Sequence, residues 1–174
     1  MSIVELIVYV VVAGLVLTGI ASLFVNSWIS QTQTTNRDSA TGNSAVVGAS
    51  LTQSIRNASD FKVEAGGKTV RAIVATGASG WECRAWALTS GGDLIYKASP
   101  TSIAVPTGAT APAGWTQLAA GVTGTLTGGV PFVDAGSSPK RLEIGLTFTT
   151  KGQAAPTTNG VTAQAKISGG GPCW

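Results

Sequence analysis

MSIVELIVYVVVAGLVLTGIASLFV, residues 1–25, holds one charged residue, Glu5, and no other charge follows until Arg37. The uncharged apolar run from Leu6 to Val25 is about 20 residues, and as a helix it spans roughly 30 Å, the thickness of a hydrocarbon core. It is rich in Val and Ile and reads as a membrane-crossing helix. Gly14 and Gly19 lie inside it. Each weakens a helix in water by about 1 kcal/mol relative to Ala, so they mark a place for the helix to flex. The carboxylate at the start is the anomaly. An uncompensated charge in hydrocarbon costs about 2.5–3.5 kcal/mol on insertion scales.

The remaining composition narrows the reading. A chain of 174 residues suits one domain plus an appendage. Eleven basic residues against eight acidic ones give a net charge of +3, which permits anionic partners without arguing strongly for them. There is no His, so Ser-His-Asp and Cys-His sites are excluded, and no paired acids or phosphate loop stand out. The apolar run does not fit a secretory signal peptide, because no Lys or Arg precedes it and its core is too long. An ordinary signal anchor has flanking basic residues to set its orientation. Their absence before Arg37 suggests a basic leader removed ahead of Met1.

MSIVELIVYV resembles the mature N-terminus of type IV pilins and pseudopilins. In that family an apolar residue stands first, Ser or Thr second and Glu fifth, ahead of an unbroken apolar helix. Met1, Ser2 and Glu5 occupy those places here. Met1 replaces the more usual Phe. The proline common in mid-helix is missing, with Ser22 near its place, and Gly14 and Gly19 are the candidates to supply flexibility instead. The resemblance is specific over the first 25 or so residues and mainly architectural beyond them.

The resemblance implies a subunit whose leader is cut by a prepilin peptidase and whose new first residue, Met1, is N-methylated. It implies membrane anchorage, then delivery by an inner-membrane assembly platform into a helical homo-oligomer at the cell surface. It also gives Glu5 a role. With helices packed side by side at an axial stagger, Glu5 of one chain meets the Met1 amine of the next. Breaking such a buried pair is strongly destabilising, so the pair selects register. The alternative is a Glu5 that merely lies in the headgroup region. The resemblance implies no enzyme activity and no cofactor; the chain is a substrate of the peptidase and methylase.

Residues 26–60 continue as the second half of the same helix. NSWISQTQTTNRDSATGNSAVVGASLTQSIRNASDF contains no proline, and Val47, Leu51, Ile55 and Ala58 form one apolar stripe. Ser, Thr and Asn lower helix propensity between residues 31 and 44. The helix is expected to end near residues 57–61. Residues 61–174 read as strands. TVRAIVAT (residues 69–76) is β-branched, and CRAWALT and DLIYKA flank a turn at SGG (residues 90–92). RLEIGLTFT alternates, with Leu142, Ile144, Leu146 and Phe148 on one face; GVTAQAKI repeats this with Val161, Ala163, Ala165 and Ile167. Such alternation predicts an antiparallel sheet with one wet side, its dry side covered by the helix stripe. The fold class is therefore α+β: a long N-terminal helix packed on an antiparallel head, as in the type IV pilin fold.

Smaller features complete the reading. SPTSIAVPTGATAPAGW (residues 99–115) reads as an exposed loop whose hydroxyls are candidate O-glycan sites, and Asn57-Ala58-Ser59 is a formal N-glycosylation sequon. Cys83 and Cys173 read as one disulfide in an exported head, with two free thiols as the alternative; metal binding is disfavoured by the lack of His and CxxC. Trp81, Trp86, Trp115 and Trp174 read as packing residues. Trp81, Arg84 and Trp86 are also close enough in sequence for a single-stranded DNA platform, with Lys140 and Arg141 as a small basic pair. Three functions remain: a major pilin of a fibre for adhesion, motility or DNA uptake; a minor pilin or pseudopilin of a pilus, competence or secretion system; and a filament-presented DNA-binding module. The second rests on SLTQSIRNASDF, WECRAWALTSGGDLIYK and WTQLAAGVTG, which follow in an order similar to that of J- or W-type minor subunits.

Overall fold

The computed structural model describes residues 2–77, 80–136, 139–165 and 173–174. One helix, α1 (Ile3–Arg56), runs unbroken for 54 residues, about 80 Å. It starts at Ser2, whose backbone is extended. It stops at Asn57, whose N–H donates to Gln53 O at 3.1 Å. The chain then turns into β1 (Ala58–Glu64), so the helix ends at the near edge of the expected 57–61 window and short of residue 60. Ala58 fits the helical stripe and is also buried as the first residue of a strand, so its spacing disguised the boundary. β1 pairs antiparallel with β2 (Thr69–Ala75) from Ala58, with a bulge between Ala58 and Asp60.

The head holds two antiparallel sheets where one was expected. The first is a meander in chain order: β1, β2, β3 (Trp81–Leu88), β4 (Leu94–Ser99) and β5 (Thr116–Ala119). The turn at Ser90–Gly92 joins β3 and β4, as its glycines predict. The second sheet centres on β8 (Arg141–Thr150). Along one edge β8 pairs with β9 (Gln153–Thr162) over its whole length. On its other edge β6 (Val122–Gly124) and β7 (Phe132–Asp134) pair end to end.

α1 and the two sheets share one core. Val47, Leu51 and Ile55 from the helix meet Phe61, Val70, Ala72, Val74, Trp86 and Leu94 from the first sheet. Phe132, Leu142, Ile144, Leu146, Phe148 and Val161 close it from the second. The alternating β8 residues are thus placed as their period predicts. β9 begins at Gln153, well before the alternation visible from residue 160, because Pro156 reads as a strand breaker. Here Pro156 sits opposite Thr147 on a strand that pairs with β8 alone. Val161 and Ala163 are buried and Ala165 is half-buried. Ile167 lies outside the described residues.

The first sheet is covered on its other face as well. Ile73, Cys83, Ala85, Ile103 and Cys173 form a second cluster, with Trp81, Trp115 and Trp174 packed against it. The segment read as a solvated loop therefore contributes a buried residue: Ile103 is 2% exposed. A strand buried on both faces loses its alternation, which is why TVRAIVA reads as a continuous run.

Candidate functional site

The helix divides at the head. Its buried residues, Ala40, Ser44, Val47, Leu51, Ser54 and the adjacent Ile55, recur at steps of three and four along one face. Ser44 and Thr157 share a hydroxyl–hydroxyl hydrogen bond, and Asn159 Nδ2 donates to Thr52 Oγ1 at 3.0 Å. N-terminal to residue 36 every described helical residue is exposed, including Ile3, Leu17, Phe24 and Trp28. The head leaves the apolar half, Ile3 to Val25, bare. By length and composition α1 suffices to cross a membrane. An exposed apolar surface of this length marks an interaction site for lipid or for other helices.

Glu5 lies on the first turn of that surface. Its Oε2 accepts the backbone N–H of Ser2 at 3.4 Å. The carboxylate thus satisfies one of the donors that a helix start leaves unpaired and complements the positive end of the helix dipole. Ser2-Ile3-Val4-Glu5 has the S-x-x-E form of a capping box, a sequence signal for this local role that the apolar pattern overshadowed. Met1, the other residue expected at the assembly site, lies outside the described residues.

Gly14 and Gly19 stand in a continuous stretch of helix, and nothing lies within 4 Å of where a Cβ would be at either. Thr18 Oγ1 donates to Gly14 O at 2.8 Å, and Ser22 Oγ to Thr18 O at 2.9 Å. Back-bonding of this kind slightly destabilises helices and often bends them. The two glycines and two hydroxyl residues thus gather in the middle of the apolar half.

At the far side of the head, Cys83 and Cys173 form a disulfide with Cα atoms 5.4 Å apart. Beside it lies Arg71, 8% exposed, in the middle of β2. Its Nη1 donates to Ile103 O at 2.6 Å and to Cys173 O at 3.3 Å, and its Nη2 pairs with Glu64. The Ile103 N–H in turn donates to Cys173 O at 3.3 Å. One guanidinium therefore ties β1, the residue 99–115 segment and the C-terminal end to one place. Burial raises the Glu64 pKa, but hydrogen bonds from Lys62 and Arg71 and their charges outweigh it and hold the carboxyl below its ordinary value. Nothing in the sequence pointed to this clamp except the oddity of an Arg inside a β-branched run.

The other candidates separate. Trp86 is fully buried in the main core, tilted against Tyr96 with ring centroids 5.3 Å apart, while Trp81 belongs to the opposite face of β3. Arg84, between them, donates to Glu82 Oε1 at 2.6 Å and to Ser54 Oγ at 2.8 Å. Lys140 pairs with Asp60 at 2.7 Å and lies 5.9 Å from the centre of the Phe61 ring. Asn57 of the sequon is the exposed helix C-cap. Among the described residues no group of three or more His, Cys, Asp or Glu is placed to hold a metal. No protein-family model matches the chain, and no curated protein or solved structure matches it significantly.

Proposed function

We propose that the chain is the structural subunit of a type IV pilus, with the type IV pilin fold, anchored in the membrane by α1 and then polymerised through it into a surface filament. The observation that carries this reading is the bare N-terminal half of α1: an apolar cylinder that the head leaves wholly uncovered, with one carboxylate, Glu5, at its end. A bilayer satisfies such a surface before assembly, and neighbouring helices satisfy it afterwards. In the filament Glu5 exchanges its weak, 3.4 Å contact with Ser2 for the N-methylated amine of Met1 on the adjacent subunit. The pair selects the register, because a stagger that leaves either charge unpaired in the water-excluded bundle is strongly destabilising. The Gly14–Ser22 stretch provides the local give that lets helices adjust as they pack. The head tiles the exterior, tied shut by the disulfide and Arg71.

Glu5→Ala tests the reading. It makes the segment more apolar, so the protein should remain in the membrane fraction, while the amount of sheared filament falls sharply. Normal filament yield with this variant would refute the charge-pair mechanism.

A further inference from the structure

The β8–β9 hairpin reaches down the helix toward the apolar half. Contacts along the two elements advance together: Gln164 N–H donates to Arg56 O, Asn159 bonds Thr52, and Thr157 bonds Ser44. Six residues of strand from Thr157 to the hairpin tip cover about 20 Å. A helix covers a similar distance, about 18 Å, in going from Ser44 to Thr32. The tip accordingly arrives beside the neck of α1. Lys151 shares an open groove of about 340 Å³ with Trp28, Gln31, Thr32, Thr35 and Asn36. Trp28, 74% exposed, stands one turn beyond Val25, the depth at which aromatic residues sit among lipid headgroups.

The lysine is held there against local preference. Thr150 pairs with Gln153, so the turn has two residues, Lys151 and Gly152, with φ of 46° and 82°. Both positive values mark a type I′ turn, which favours Asn-Gly. Lys151 is one of two non-glycine residues with positive φ among those described. It is exposed and forms no ion pair among the described residues. Arg37 and Asp38, higher on the neck, together add no net charge. The tip is therefore a lone positive charge in a strained turn, next to a tryptophan at headgroup depth.

We propose that Lys151, with Trp28, binds the headgroup of an anionic phospholipid in the membrane that α1 enters. The contact fixes the tilt of the head over the bilayer before assembly; it rests on the membrane-anchored stage of the reading above. A basic side chain near an anionic surface gains roughly a fivefold preference.

The full chain reconstituted into nanodiscs of phosphatidylcholine, with or without phosphatidylglycerol, provides the test. Acylation of each lysine is followed by peptide mass spectrometry, with Lys140, at the opposite end of the head, as internal reference. The expected result is a Lys151-to-Lys140 rate ratio about fivefold lower in the anionic discs than in the neutral ones at the same salt, a difference that vanishes at high salt. Equal relative rates in the two discs would overturn the proposal. Lys151→Asn should raise the melting temperature, since Asn suits the turn; a lower one would also overturn it, by showing that the lysine serves the turn itself. Resistance to carbonate extraction is scored separately. An extractable chain sinks the membrane reading, whereas an inserted chain with unprotected Lys151 sinks only the lipid contact.

Discussion

Replacing Arg71 with alanine should loosen the head more than any surface substitution. The magnitude follows from its partners. Ile103 O loses its donor and becomes an orphaned buried carbonyl, worth about 1–3 kcal/mol. Cys173 O keeps the Ile103 N–H and Glu64 keeps Lys62, so each loses only part of its satisfaction. Together these place the loss at about 3–4 kcal/mol, toward the lower end of the range for breaking a buried ion pair. For a chain of this size that is roughly a 10 °C fall in Tm. The assay is thermal unfolding of the full chain in detergent with the disulfide intact, followed by tryptophan fluorescence. Trp81, Trp115 and Trp174 pack on the same cluster and report its loosening directly. Arg71→Lys should recover less than half of the loss, because one ammonium cannot reproduce the planar fork that spans three partners. An Arg71→Ala chain melting within about 2 °C of the wild type would refute the clamp, since that corresponds to no more than about 1 kcal/mol.

Two further outcomes concern the same corner of the head. Cys83→Ser opens a bridge between residues 90 apart in sequence, so it should cost about 4–5 kcal/mol in the chain-entropy model and lower the melting temperature; an unchanged melt would contradict a stabilising bridge. The Glu64 carboxyl is held below its ordinary value of 4.5, so its stabilisation is fully present above pH 4.5 and is lost as pH falls through the lower folded-state value. The stability difference between wild type and Glu64→Gln should therefore shrink below pH 4.5, and a difference constant through that range would contradict the pairing.

How much of this was legible depended on how many residues carried each signal. The apolar half of α1 is written in twenty consecutive side chains, and β8 in four alternating ones, so composition and period suffice for both. The disulfide follows from a count of two in a head expected to be exported. Short strands such as β6 and β7 carry too few residues for a period, and Pro156 hides the first half of β9. The second cluster is a tertiary fact: Ile103 is apolar within a Pro-, Thr- and Gly-rich stretch, and only the folded chain shows what it covers. Two local signals were readable in principle. The S-x-x-E box at Ser2–Glu5 announces a helix start, and the buried Arg71 in TVRAIVA implies a polar partner for that face. The type I′ turn at Lys151 is hidden because Lys-Gly lacks the usual asparagine.

The intact mass of filaments sheared from the cell surface decides whether this chain is a processed filament subunit. If it is, the dominant species contains this sequence, with Met1 N-methylated and Cys83 bridged to Cys173. A chain that is rare in that fraction and stays with the membrane would contradict this reading.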